Sequence, residues 1–286
     1  MPPASFRLAM ARPESARRLI VNADDFGRSA SINQAVIQAH RDGILTTASL
    51  MVNEPGLAEA VALARAHPRL GVGLHLSLLC GRSALPPAKI PGLVNAAGEF
   101  SNNPAATGFR YFSQPALRAQ LRAEIQAQFA RFRATGLPLD HVNGHLHMHL
   151  HPTVFRLLMA EVRELGIRHF RLTRDPFWFN TRLARGQWLY RMSHAFIYTI
   201  LSRQARPHLR RHAIRHTERV FGLLQNARVD EAYTIRLLQA LPPGDSELYS
   251  HPSLDEFRPE YEALISPRVV ALVREQRIAL IRYQDL

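Results

Sequence analysis

The sequence predicts an α/β chain folded as a (β/α) barrel, TIM-like, with seven or eight parallel strands. Three observations predict it. Short apolar, partly β-branched runs alternate with helix-length segments along all 286 residues, the pattern of parallel strands with covering helices. Aspartates and histidines fall repeatedly at the ends of those runs, the phase a barrel produces when its strands open on one face. No Gly/Ser linker divides the chain, so 18–286 reads as one domain. Residues 1–17, with Arg7, Arg12 and Arg17, read as a flexible arm without the apolar core of a signal peptide.

Residues 18–23 are apolar and end in polar side chains, as a buried strand does. Ser29 or Ser31 then caps a helix through Arg41 that Gly43 stops. Residues 46–52 form a second strand, 54–66 a helix, and 70–76 a third strand in which Gly71 and Gly73 permit close backbone approach. The segment 79–113 is rich in Pro, Gly and Asn and reads as a long loop. Leu117, Leu121, Ile125, Phe129 and Phe132 recur at helical spacing within 115–135, a stripe suited to core packing. Residues 139–143 are a fourth strand, Pro152 stands at the first position of a helix that Gly166 ends, and 168–172 are a fifth strand. The segment 177–216 breaks the rhythm as an insertion of one or two helices. Strands at 220–223, 247–250 and 278–283 complete the set.

Composition narrows the function. Cys80 is the single cysteine, which excludes an internal disulfide and a cysteine-based zinc site. No apolar run reaches the roughly 18 residues needed to span a bilayer. The formal charge is +13, and Lys89 is the only lysine among 36 basic residues. Residues 203–216 are almost purely basic and follow an aromatic-rich stretch. Such a balance suits nucleic acid or an anionic membrane; an Arg/Ala compositional bias with a solvated basic face explains it equally.

The chemistry-bearing residues are Asp24 and Asp25 after the first strand, His75 at the end of the third, the run from His145 through His147, His149 and His151 after the fourth, and His251 after a late strand. Singly, each has a plain structural reading: a helix cap for Asp25, a satisfied core histidine for His75, a turn for His251 and Pro252. Jointly they converge on one face. On an extended strand, alternate residues of the histidine run stand about 7 Å apart on one side. One of them then binds metal while the others orient it or contact substrate, and His151 is structural. One carboxylate and two imidazoles leave positions open for water. A neighbouring carboxylate takes the water's proton, and a histidine opposite protonates a leaving amine. Cleavage of an acetamide fits that layout.

Arg18-Leu19-Ile20-Val21-Asn22-Ala23-Asp24-Asp25-Phe26-Gly27, Gly73-Leu74-His75-Leu76, the histidine run and Glu247-Leu248-Tyr249-Ser250-His251-Pro252 resemble the YdjC-like carbohydrate deacetylases across roughly residues 18–260. The resemblance implies a distorted barrel, one divalent metal ion (Mg2+ or Zn2+) and removal of acetyl groups from N-acetylated sugars. It implies Asp24 as general base, Asp25, His75 and His145 as metal ligands, and His251 as acid. His147, His149, Asn143 and Arg171 are then expected to contact substrate. Many members carry Asp where this chain has Asn143, which removes a negative charge beside the metal.

Leu137-Pro138-Leu139-Asp140-His141-Val142-Asn143, His149-Leu150-His151-Pro152-Thr153 and Leu85-Pro86-Pro87-Ala88-Lys89-Ile90-Pro91 are closer to the hopanoid biosynthesis-associated HpnK branch. That branch implies an N-acetylglucosaminyl group on a hopanoid lipid as substrate. A cytoplasmic protein, peripheral at the inner face of the membrane, is expected. Phe177, Trp178, Phe179, Trp188, Leu189, Phe196, Ile197 and Tyr198, with the arginines behind them, would then give 177–216 a contact with anionic membrane. No nucleic-acid partner is expected. The competing readings are a metal-dependent phosphoesterase, for which a single carboxylate ligand is a poor match to two-metal sites, and a non-catalytic sugar or lipid binder, which would have no need of Asp24.

Overall fold

The computed structural model describes residues 16–225 and 227–286. The expected N-terminal arm lies outside the described residues except for its last two positions, and Arg17 already belongs to the first strand. In chain order the elements are β1 (Arg17–Phe26), α1 (Ala30–Asp42), β2 (Thr47–Leu50), α2 (Leu57–Ala66), β3 (Gly71–Leu76), α3 (Pro104–Ser113), α4 (Arg118–Ala134), β4 (Val142–Gly144), α5 (Pro152–Ala160), α6 (Phe177–Leu183), α7 (Trp188–Arg211), β5 (Arg219–Phe221), α8 (Glu231–Ala240), β6 (Gly244–Ser250), α9 (Arg258–Ile265), α10 (Pro267–Glu275) and β7 (Ala279–Leu280).

Every strand pairing is parallel, in the order β4-β3-β2-β1-β6-β5, with β7 wedged against the start of β1. The sheet is a curled half-barrel. Across its gap run residues 168–174, of which 168–172 were expected as a strand but are joined only by single bridges, Val142 to Phe170 and His169 to Arg215. Their backbone bonds alternate: the amide of Arg171 donates to Val142 and that of Phe170 to Arg215, both at 3.0 Å, and Val220 donates to Arg174 at the same distance. The two edge strands are thus tied together without a continuous ladder.

The pleat sorts the side chains into two layers. Leu19, Val21, Ala23, Ala48, Leu50, Val72, Leu74, Leu76, Val142, Phe170, Leu172 and Leu248 belong to the main apolar core beneath the helices. Their alternate neighbours face inward. Ile20 seals the lower end with Tyr283 and Leu286, and above it stand Asn22, Asp24, Ser49, His75, Asn143, Arg171, Glu247 and Tyr249, all buried. The barrel interior is therefore polar, and its hydrophobic stabilisation comes from the outer layer.

Local signals account for most boundaries. The Ser29 hydroxyl caps α1 by accepting from the amide of Ile32, and Gly43 ends the helix. The expected long loop contains α3, which Asn103 caps and Pro104 opens. The insertion forms two helices, α6 and α7. Helices α8, α9 and α10 have no counterpart among the expectations. The histidine run is not extended: His145–Leu150 is a 3-10 turn in which Leu146 (φ 46°) and His147 (φ 58°) are left-handed. That coil, not strand alternation, distributes its imidazoles.

Gly73 shows how tightly the interior is filled. A Cβ there would lie 2.5 Å from the ring of His141, which sits buried beneath β3 and cannot retreat past Tyr283, stacked on it at 4.4 Å. Gly73→Ala is expected to cost about 1–3 kcal/mol through overpacking, read as a lower urea midpoint with an unchanged m-value.

Candidate metal centre and active site

Adjacent residues on a regular strand point to opposite faces, yet Asp24 and Asp25 approach the same ring. His75 Nδ1 lies 3.8 Å from Asp24 Oδ1, and its Nε2 lies 3.3 Å from Asp25 Oδ1. A bulge makes this geometry. The register of β1 against β2 shifts between Ala23 and Phe26, and Asp25 is left-handed at φ 63°, a conformation aspartate tolerates better than most residues. Both carboxylates consequently turn inward.

Asp25, His75 and His145 are all buried, and one ligand atom of each lies within 4.8 Å of the others. His145 Nδ1 is 3.0 Å from Asp25 Oδ1, while Arg28 holds the opposite oxygen, Oδ2, at 2.9 Å. Burial alone would raise the Asp25 carboxyl, but His145 and His75 outweigh it and hold it well below the usual carboxylate range.

The donor set fits a divalent cation. The Asn143 amide nitrogen donates to Ser49 Oγ at 2.8 Å and Asp24 Oδ1 at 3.1 Å. Its Oδ1 is therefore the atom that meets His75 Nδ1 at 2.8 Å, and the imidazole carries a proton on Nδ1. That turns the other ring nitrogen, Nε2, toward Asp25 Oδ1 at 3.3 Å. A cation held there would have one carboxylate and two imidazoles as its protein ligands and room for water.

Asp24 stands beside that cluster under different restraints. Arg171 grips it with two bonds, Nη1 to Oδ2 at 2.7 Å and Nη2 to Oδ1 at 2.9 Å. Asn22 adds a third donor at 2.9 Å to Oδ1. Burial opposes its charge, yet Arg171, His75 and His251 hold the carboxyl far below its ordinary value. Asp24 is ionised throughout the neutral range. Among the described residues Oδ1 accepts from Arg171, Asn22 and Asn143, whereas Oδ2 accepts only from Arg171, so Oδ2 keeps capacity for a further proton. Glu247 Oε1 balances the far side of Arg171 at 2.7 Å, and the Tyr283 hydroxyl donates to Oε2 of the same glutamate.

A cleft of about 480 Å³ opens over these groups, lined among others by Asp24, His145, His147, Tyr249, His251 and Phe257. His147 reaches it with Nε2 bonded to the Tyr249 hydroxyl at 2.9 Å; burial and the nearby Arg171 keep it neutral. His251 faces the cleft from the end of β6. Burial opposes its charged form, but Glu260, 3.7 Å from its Nδ1, and the two aspartates prevail and push it up to about 9. One wall was not anticipated. Helix α7 contributes Tyr190, His194 and Tyr198, with Tyr190 stacked on His194 at 3.8 Å and Tyr198 edge-on to His147 at 5.2 Å. Their one-turn spacing was visible in the sequence; their side of the helix was not.

Three expected substrate contacts stand elsewhere. Arg171, His149 and Asn143 are fully enclosed, so none has surface to offer a ligand. Arg171 and Asn143 act on the site through Asp24 and His75. His149 Nε2 donates to the Arg171 carbonyl at 3.0 Å, and burial, first among its influences, brings it down to about 3. His151 is structural, as expected: its Nδ1 accepts from the Thr153 amide at the start of α5. Asn22, unassigned by the sequence reading, carried a signal in being a polar residue directly after the apolar run Leu19-Ile20-Val21; Glu247, also unassigned, sits in a largely polar strand and carried none.

This is a buried Asp/His/His cluster at the strand ends of a curled parallel sheet. The YdjC-like protein family matches residues 18–275, and the chain belongs to it. A carbohydrate deacetylase of Brevibacillus brevis is 38% identical over 170 residues, 59% of this chain and 64% of its own length. One of Mus musculus is 31% identical over 261 residues, 85% of this chain and 80% of its own. The chain covers about three fifths of the length of the bacterial relatives it matches. A putative cellobiose-phosphate cleavage protein from Enterococcus faecalis shares the fold, with a TM-score of 0.71 at 22% identity over 95% of this chain and 99% of that one.

Arg171→Met would leave Asp24 and Glu247 buried without a countercharge. A loss of about 3–5 kcal/mol is expected, measured by urea denaturation. Glu247→Gln, which retains a hydrogen-bonding partner, should lose less.

Proposed function

We propose that the chain is a metal-dependent N-deacetylase acting on an N-acetylated amino sugar. The observation that carries this reading is the separation of duties between neighbouring carboxylates: Asp25 joins two imidazoles, while ionised Asp24 is tied to Arg171 and left with one receptive oxygen. The names of the relatives, carbohydrate deacetylases, agree with it.

Asp25, His75 and His145 would hold the ion, which supplies Lewis acidity toward the acyl oxygen and acidifies water. The remaining work belongs to the chain. Asp24 Oδ2 takes a proton from the attacking water as its oxygen bonds to the acetyl carbon. His251, protonated by virtue of Glu260, gives a proton to the sugar nitrogen as the C–N bond breaks. Amide and water become acetate and a free amine. The rings of α7 and Tyr249 offer faces against which a sugar can pack.

A finer reading follows the likeness to the hopanoid-associated branch: the sugar is an N-acetylglucosaminyl group carried on a hopanoid lipid. A lipid-borne substrate would bring 177–216 close to a membrane. Lipid extracts of cells lacking the protein should then accumulate an acetylated glycolipid; extracts identical to the parent's would remove that substrate while leaving the deacetylase reading intact.

Asp24→Asn is expected to cut acetate release from a chitobiose-type substrate by at least about a thousandfold, with metal content by elemental analysis unchanged. Asp25→Asn should lose the metal as well. If Asp24→Asn retains activity, the proposed base is wrong. The pH profile carries a second expectation. His251 holds its acidic proton below about 9 and loses it above, so kcat/KM should fall on the alkaline side near that pH. His251→Gln should lower the plateau and abolish that limb.

A further inference from the structure

Helix α7 presents two faces with different fates. At about 3.6 residues per turn, Tyr190, His194 and Tyr198 form one line and wall the cleft. Around the helix from them, Trp188, Leu189, Met192, Phe196 and Ile200 form a second line, and every one is exposed, Leu189 at 87% and Phe196 at 69%. Trp178 on α6, exposed at 78%, extends this surface through Phe177, whose ring lies 5.2 Å from Trp178 and 6.5 Å from Trp188. Farther along the same face of α7 the apolar side chains give way to Arg203, Arg210 and Arg211, also exposed.

A single exposed apolar residue means nothing, but a contiguous set this large marks a surface that is covered in use. We propose that the α6–α7 face docks on an anionic lipid bilayer. Its aromatic and aliphatic side chains would sit at the acyl boundary, and Arg203, Arg210 and Arg211 against headgroup phosphates. Two observations select that occupant over a second copy of the chain. Apolar turns followed by arginines on one helix face are the chemistry of an interfacial helix. The chain carries a formal charge of +13, which attracts an anionic surface and repels its own kind. No helix among the described residues is long and apolar enough to cross a membrane, so α7 would lie on the surface.

Docking itself does not depend on the deacetylase reading; its consequence, a lipid-borne sugar presented at the adjoining cleft, rests on that reading. The chain has only two tryptophans, Trp178 and Trp188, and both lie in the proposed contact. Intrinsic fluorescence therefore reports on it without a label. The full metal-loaded protein is mixed with vesicles of phosphatidylcholine alone or with added phosphatidylglycerol, and flotation is measured beside the emission maximum and quenching by brominated lipid. Binding to the anionic vesicles is expected, with a blue shift and quenching, weakening as salt rises.

The triple variant Leu189→Ser, Met192→Ser, Phe196→Ser should lose about tenfold or more in vesicle affinity, with unchanged acetate release from soluble N-acetylated chitobiose. Arg203→Gln, Arg210→Gln, Arg211→Gln should flatten the salt dependence. Absence of flotation, or flotation without a tryptophan response, overturns the proposal. So does a dimer in analytical ultracentrifugation that the triple variant dissociates, if vesicles do not bind. Vesicle binding in a protein inactive on every acetylated sugar would sink the catalytic reading and leave the docking surface standing.

Discussion

Arg171 is the interaction on which the rest of the site depends. A guanidinium with no exposed surface lies between Asp24 and Glu247 inside a polar barrel, with its charge centre 4.5 Å from the ring centre of Tyr249. Inward-facing carboxylates repel one another and resist burial, and one cation shared between them makes both tolerable. The same pairing fixes Asp24 in position and keeps it charged beside the candidate metal ligands. Tyr249, held by Arg171 on one side, holds His147 on the other. Structural necessity and chemical function coincide in this side chain.

The surrounding architecture follows from that polar centre. Strands with apolar outer faces and polar inner faces cannot be sealed by side-chain packing at the middle of the barrel, so hydrogen bonds do that work. Asn22, Ser49, His141 and Asn143 are linked in one network, with Ser49 Oγ 2.9 Å from His141 Nε2 and 3.0 Å from the Asn22 amide nitrogen. The lower end is closed by Ile20, Tyr283 and Leu286. The upper end is left to the cleft.

The strand ends were legible because short apolar, partly β-branched runs are local signals, and Asp24, Asp25, His75, His145 and His251 advertised themselves by recurring there. What escaped the sequence was non-local. The left-handed Asp25 that turns two neighbours inward depends on a register shift with β2. The coil through Leu146 and His147 replaces the extended run that alternation suggested. Arg171 was expected to contact substrate; its partners Asp24 and Glu247, 147 and 76 residues away, make its burial intelligible. Helix α3 hid within a Pro- and Asn-rich stretch whose Asn103-Pro104 pair was a start signal.

Asn143 gives the network its direction. An amide has both polarities, so it accepts from His75 and donates to Asp24 in the same instant. A carboxylate in that place would set acceptor against acceptor at Asp24, and at neutral pH one of the two would have to retain a hydrogen. Exchange of this one position therefore rewires which atom in the interior bears the mobile charge, and chains that differ there should differ also in the companions of Asp24.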